Sequence, residues 1–379
     1  MLTYDLCWLL GQSADEFWSE KYEKSPALWR GDGRRFNELF GMEDFERYLT
    51  ISGCSDGAIV LAPPGGTSGR LDPHEVELAW RAGYSVIAAD LHKRWPEVIT
   101  LAADLGAAMC CALAVNAYLS PPEGSAFARH YDAHDVFILQ TYGSKHWLVF
   151  DPADELPVMH TQNAQLNRDS ALALDAELRA GDVLYVPRGH PHVATAGSEG
   201  SLHLTVALSP SRWVDLAHAL VDVLAQQSVE LRRTAHDFTS FTTTDLMRKL
   251  IEANDASASI CMTELQRYLD RDRVDTALPG GALESLISDH ERVGLDTVVQ
   301  RRRGGPVRWG LRDGRVWLTV CGRRMELPEV AVSALEYLSR TEQFRISNLP
   351  DAYSDRAKVT LVRAWLREGI VLRTQVTHD

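Results

Sequence analysis

Between about residue 80 and residue 210 the chain reads as a succession of short β-rich runs: SVIAADL, LAVNAYL, DVFILQTYG, HWLVFDP, DVLYVP and HLTVALS. Pro, Gly and Asp bound them, and these residues interrupt a strand ladder. Many short strands with turn signals predict a double-stranded β-helix, or jelly roll. One stretch, about 98–110, reads instead as a helix inserted before the barrel closes.

The flanks have a different period. Residues 1 to about 50 look helical, with Leu9, Leu10, Phe17, Trp18 and Tyr22 spaced for one face, and Ser25-Pro26 ends that run. From 211 the spacing is helical again (Val214, Leu216, Leu220, Leu224), and two or three more helices are expected up to about 298. An apolar-faced helical segment of this kind commonly makes a dimer, so a homodimer is expected. From about 305, the strands VWLTVCG and RRMELP alternate with the helices VAVSALEYLSR and SDRAKVTLVRAWLREG. Ser354 is suited to cap the start of the second helix and Gly369 its end. With a closing strand IVLRTQV, this portion has the size and order of a winged helix. The expected class is α+β: a barrel domain with its N-terminal helical region over 1–210, a helical domain over 211–300 and a winged-helix-like domain over 301–379.

A length of 379 residues fits two or three domains. The net charge of -13 argues against a protein that coats nucleic acid, although the arginines at 301–303 make the C-terminal end locally more basic. No run of about 18 apolar residues occurs, so no membrane span is expected. MLTYDLCWLLGQSADEFW lacks the basic start of a signal peptide. The cysteines Cys7, Cys54, Cys110, Cys111, Cys261 and Cys321 include no CxxC pair, which fits a reducing, cytoplasmic setting. The GGTSGR loop at 65–70 lacks the Lys-Ser/Thr that a phosphate-binding loop needs.

Chemistry is concentrated in two fragments, His130-Tyr131-Asp132 and Pro187-Arg188-Gly189-His190-Pro191-His192. On a strand, positions i and i+2 share a face, so His130 and Asp132 would both point into the barrel, with His192 arriving from a distant strand. Two histidines and one carboxylate are the set that binds Fe(II) on one face and leaves the other face open. His134 and His190 are rivals by the same spacing, with His134 more naturally lining the pocket. His146 and His203 read as core residues or supports of the ligands. Lys145, expected on a strand after a Tyr142-Gly143-Ser144 turn, lies in an apolar stretch. A buried lysine is costly without an anionic partner. Asn116 and Tyr118 alternate onto one strand face and could add hydrogen bonds.

The run NAYLSPP…ARHYDAHDVFILQTYGSKHWLVFDP…GDVLYVPRGHPH…LHLTVAL closely resembles the JmjC-type ribosomal oxygenases, cupin-like protein hydroxylases, over roughly 110–210. FWSEKYEKSPALW is more weakly similar to a segment of the same family. The resemblance implies a JmjC catalytic domain, a helical dimerisation domain and a winged helix. It also implies His130, Asp132 and His192 as Fe(II) ligands, Lys145 as the partner of the 2-oxoglutarate carboxylate, and Asn116 and Tyr118 in the cosubstrate pocket. The chain departs from the family at Ala207, where relatives often carry Ser. The activity implied is hydroxylation of a protein or peptide side chain, such as one in a ribosomal protein, with succinate and CO₂ as coproducts. Other readings are a tailoring hydroxylase of a biosynthetic peptide or small molecule, a histone demethylase, and a non-catalytic cupin that uses its winged helix on DNA.

Overall fold

The computed structural model describes residues 4–52, 57–64, 75–158, 170–234, 242–256, 293–302, 308–312, 314–320 and 323–374. The chain divides into two compact units, Met1–Ser209 and Pro210–Asp379.

The first unit runs α1 (Leu6–Leu10), a π-helical turn (Phe17–Lys21), β1 (Ala27–Trp29), α2 (Met42–Ser52), β2 (Ile59–Ala62), α3 (Val76–Arg81) and β3 (Ser85–Ala88). A 3₁₀ turn (Leu91–Lys93), α4 (Pro96–Met109), β4 (Ala112–Ser120), β5 (Asp135–Phe150), β6 (Leu172–Arg179), β7 (Val183–Val186) and β8 (His192–Ser209) follow. One sheet has the order β1-β7-β5-β8-β4-β3-β2, and β6 pairs with β5. Its spine is β5 and β8, antiparallel from Asp135↔Leu208 to Val149↔His192. β7 flanks the first half of β5 and β6 the second half, so one bent strand serves both halves of the barrel.

The bend corrects the expected turn at Tyr142-Gly143-Ser144. The strand continues through these residues, and the ladder to β8 shifts register between Gln140 and Tyr142 and again between Gly143 and Lys145. Such bulges let a long strand curl without ending. Gly143 sits at φ +62, and a Cβ there would collide with the Gly200 carbonyl, so only glycine fits this bend.

The N-terminal region is less helical than its pattern suggests. Leu9, Leu10 and Phe17 are buried but Trp18 is exposed. After Pro26 the chain takes a free sheet edge, with Ala27 opposite Tyr185. The expected helix at 98–110 is α4, whose Val98, Leu101 and Leu105 are fully buried and which begins with Pro96 in its first turn, where no N–H is needed. The core of this unit packs α1, α2 and α4 against β3, β4, β7 and β8 through residues such as Phe17, Phe40, Leu101, Val115 and Tyr185.

In the second unit, α5 (Trp213–Gln227), α6 (Val229–Arg232) and α7 (Thr243–Ala256) come first. The helical run that starts after 211 breaks at Ser228, whose hydroxyl accepts from Leu231 N and starts α6. The further helices expected before 298, and the loop at 65–70, lie outside the described residues. Next come β9 (Val298–Arg301), β10 (Arg308–Arg312), β11 (Arg315–Val320), β12 (Arg323–Pro328), α8 (Val332–Arg340), β13 (Gln343–Arg345), α9 (Asp355–Arg367) and β14 (Val371–Arg373). Strands β10-β11-β12 form one antiparallel sheet and β13-β9-β14 another. Ser354 caps α9 by accepting from Ala357 N. Gly369 follows in the left-handed conformation, one residue beyond the cap at Glu368. A second core, around Trp365, Leu335 and Val299, belongs to this unit alone.

Candidate metal centre and its cavity

His130 and Asp132 do not lie on a strand, contrary to the spacing argument. His130 forms an isolated antiparallel bridge with His192, the first residue of β8, and Asp132 sits in the loop just before β5. Two backbone bonds make the bridge, His192 N to His130 O at 2.8 Å and the reverse at 3.2 Å. A third, from Gly189 N to the Asp132 carbonyl at 3.0 Å, ties the loops together. The result is the expected convergence by another local route: the ligand atoms of His130, Asp132 and His192 all lie within 4.8 Å of one another. Asp132 oxygens stand 4.0 Å from His130 Nε2 and 3.9 Å from His192 Nε2.

The tautomers suit a metal. His130 Nδ1 is 2.9 Å from the Ala128 carbonyl and His192 Nδ1 is 3.1 Å from the His190 carbonyl. With Nδ1–H donating in each ring, both Nε2 lone pairs face the shared centre, the usual arrangement of metal-ligating histidines. Burial, then the neighbouring His130, lowers the His192 pKa to about 4, against a weaker opposing pull from Asp132. The ring is therefore neutral at physiological pH, as a ligand must be.

The triad opens into a cavity of about 340 Å³. Lys145 enters it from β5 and is only 3% exposed. Its Nζ donates to Ser120 Oγ at 3.0 Å, an atom that also accepts from Ser85 Oγ at 2.9 Å. Among the described residues no carboxylate pairs with it, and burial alone lowers its pKa to about 7. Asn116 and Tyr118 line the same cavity, as expected from their alternation on β4. The Tyr118 phenol is pushed up to about 12, by burial first and then by Asp132. Ala207, the departure from the family pattern, lines the wall as well.

The cavity wall also holds Trp147, which the sequence reading did not single out, and His203, which it read as a core residue or a support of the ligands. His203 lies parallel to Tyr118, with ring centroids 5.1 Å apart, and edge-on to Trp147 at 5.7 Å. Burial and the nearby Lys145 hold its pKa well below the usual histidine value. His203 Nδ1 and Trp147 Nε1 are both buried without a hydrogen-bond partner. Orphaned donors are rare in native interiors. With Lys145, they line a cavity suited to an anionic, acceptor-rich ligand, so the residues fit a dicarboxylate beside a metal. The signal was present in HLTVALS, where His203, Thr205 and Ala207 alternate and all three line the cavity.

The remaining histidines sort cleanly. His134 lines the cavity but is outside the triad, and His190 is bound through Nδ1 to the Phe150 carbonyl at 2.9 Å. His146 is not a core residue: its side chain is 49% exposed and pairs with Asp175 at 2.6 Å on the surface. The strand alternation that points Lys145 and Trp147 inward turns His146 outward.

Residues 96–216 match the JmjC domain family, a segment that holds β4 to β8 and the His130–Asp132–His192 cluster. The resemblance read from the motifs, to the JmjC-type ribosomal oxygenases, holds in three comparisons. The bifunctional lysine-specific demethylase and histidyl-hydroxylase NO66 of Culex quinquefasciatus is 29% identical over 250 residues, covering 60% of this chain and 38% of that protein. Ribosomal oxygenase 1 of Gallus gallus is 29% identical over 241 residues, 59% of this chain and 40% of its own length. The chain thus spans less than half the length of these curated relatives. In fold it is similar to YcfD, a ribosomal oxygenase from Escherichia coli solved with cobalt and 2-oxoglutarate. The TM-score is 0.56 at 15% identity, over 97% of this chain and 99% of that one.

Proposed function

We propose that the chain is an Fe(II)- and 2-oxoglutarate-dependent oxygenase that hydroxylates a side chain of a protein or peptide, of the ribosomal-protein kind. The carrying observation is one cavity that holds both the His130–Asp132–His192 cluster and a buried Lys145 that no carboxylate pairs with among the described residues. His130, Asp132 and His192 would hold the metal through Nε2, a carboxylate oxygen and Nε2. Three protein ligands leave the remaining positions for cosubstrate and O₂. Lys145 would clamp the far carboxylate of 2-oxoglutarate, with Asn116 and Tyr118 beside it. When bound, the metal and 2-oxoglutarate would supply the oxidising chemistry with O₂ as the oxidant, one oxygen atom entering the target and the other the succinate, with CO₂ released. The chain's own contribution is to orient the cosubstrate, keep His192 neutral and gather the three ligand side chains on one wall of the cavity.

The net charge of -13 suits a basic target. In the same reading, the helical segment 211–300 dimerises, 301–379 is a winged-helix-like domain, and the protein works in the cytoplasm. Trp213, Leu246, Met247 and Ile251, exposed on α5 and α7, support the dimer. No helix among the described residues is long and apolar enough to cross a membrane.

The test begins without a substrate. Fe(II) and 2-oxoglutarate added anaerobically should give a visible charge-transfer band. Its absence in folded protein would overturn the oxygenase reading and leave the non-catalytic one. The relatives' names pair hydroxylation with demethylation. Mass spectrometry of ribosomal proteins and peptides therefore decides between a gain of roughly one oxygen mass and the loss of a methyl group.

A further inference from the structure

Glu23 lies well outside the matched JmjC segment, just after the π-helical turn, with a left-handed φ of 58° that a non-glycine residue rarely adopts. It belongs to a closed ring of hydrogen bonds. Its carboxylate accepts from Arg188 Nη2 at 2.6 Å, and Arg188 Nη1 donates to Asp135 Oδ2 at 2.6 Å. Asp135 Oδ1 accepts from Tyr185 OH at 2.9 Å and from Arg188 N at 3.3 Å. Tyr185 OH accepts in turn from Glu23 N at 3.0 Å. Asp135 is fully buried and Arg188 nearly so.

A buried ion pair is poor value as a source of stability, since well-packed apolar residues do as well. What it fixes is geometry. Asp135 opens β5 directly behind the loop that carries Asp132, and Arg188 lies in the turn that delivers His192. The guanidinium therefore spans the two loops whose spacing sets the triad, and Glu23 holds its second arm. We propose that Glu23 is a positioning residue for the metal centre, acting through Arg188 and Asp135. The N-terminal EKSP segment is thus part of the site although it touches no ligand. The inference rests on the reading of the triad as a metal site.

Co(II) is the probe, titrated into the full chain and followed by its visible ligand-field absorption. Glu23→Ala should raise the Co(II) Kd roughly tenfold or more, within the range typical of groups that orient metal ligands, and alter the band. Glu23→Gln keeps an acceptor for Arg188 but loses the charge, and should fall between. Phe45→Leu, in α2 and packed on Phe40, serves as a destabilised control outside the ring. Its Kd should stay within about twofold of the unaltered protein if affinity follows the ring rather than general stability. An unchanged Kd in both Glu23 variants, or an equal loss in Phe45→Leu, would overturn the positioning role while leaving the metal site intact. No Co(II) uptake by the unaltered protein would instead remove the metal-site reading, and this inference with it.

Discussion

Four side chains make the proposed site at the residue scale, the triad and Lys145. Asp132→Ala removes the only carboxylate of the triad and should abolish measurable metal binding while leaving the circular dichroism spectrum unchanged. A variant that still binds metal and turns over would refute the assigned ligands. Lys145→Ala should raise the Kd for 2-oxoglutarate roughly 30-fold or more, the cost of unpairing a buried charge at about 2 kcal/mol or above. The lowered Lys145 pKa, about 7, also sets a pH dependence. The free cavity holds a charged lysine below that value and a neutral one above it, while the bound carboxylate needs the charge. Affinity should be full below about pH 7 and fall by up to about tenfold per unit above it, with proton uptake on binding seen by calorimetry. Lys145→Arg, which stays charged, should flatten that profile. Without ligand the sign for folding is opposite. Stability gains as pH rises from about 7 toward the ordinary lysine range, because there the unfolded chain holds a proton that the folded one has released. The triad and Lys145 were legible because each breaks a local rule: two ligand residues at spacing i, i+2 before a PxGxxH turn, and a lysine in an apolar run. Glu23, Arg188 and Trp147 break none, so their roles required the fold.

Among the elements, the bend in β5 matters most. Sequence reading divided this strand in two because Gly143 has the appearance of a turn, yet the ladder to β8 continues on both sides. Glycine marks a turn and a bulge alike, and only the pairing partner tells them apart. Gly143→Val should therefore destabilise the first unit by about 2–3 kcal/mol, through a strained left-handed residue and the collision with Gly200. Urea unfolding measures this. A loss below about 0.5 kcal/mol, the level of an ordinary surface change, would show that the bend tolerates side chains. The strand–helix order was otherwise legible from period and punctuation. The break at Ser228 was blurred because apolar spacing continues past it while capping decides the outcome, and at Pro26 the sequence marked the end of the run but not the strand that follows, which depends on a vacant sheet edge.

For the whole molecule, two separate cores predict calorimetric behaviour beyond a single two-state transition. Metal and 2-oxoglutarate at about 100 times Kd should stabilise the first unit by about 2.7 kcal/mol and leave the transition of the second unchanged. An equal shift of both would mean that the units unfold together. The bridge between His130 and His192 also sets an order of events during synthesis. His192 lies opposite Val149, so the three ligands cannot meet until β8, the last strand of the sheet to leave the ribosome, has docked along β5. Such distant pairing comes late in folding. A nascent chain therefore has no complete triad to offer, and under the proposed function metal capture would be a checkpoint passed only by molecules whose barrel has closed.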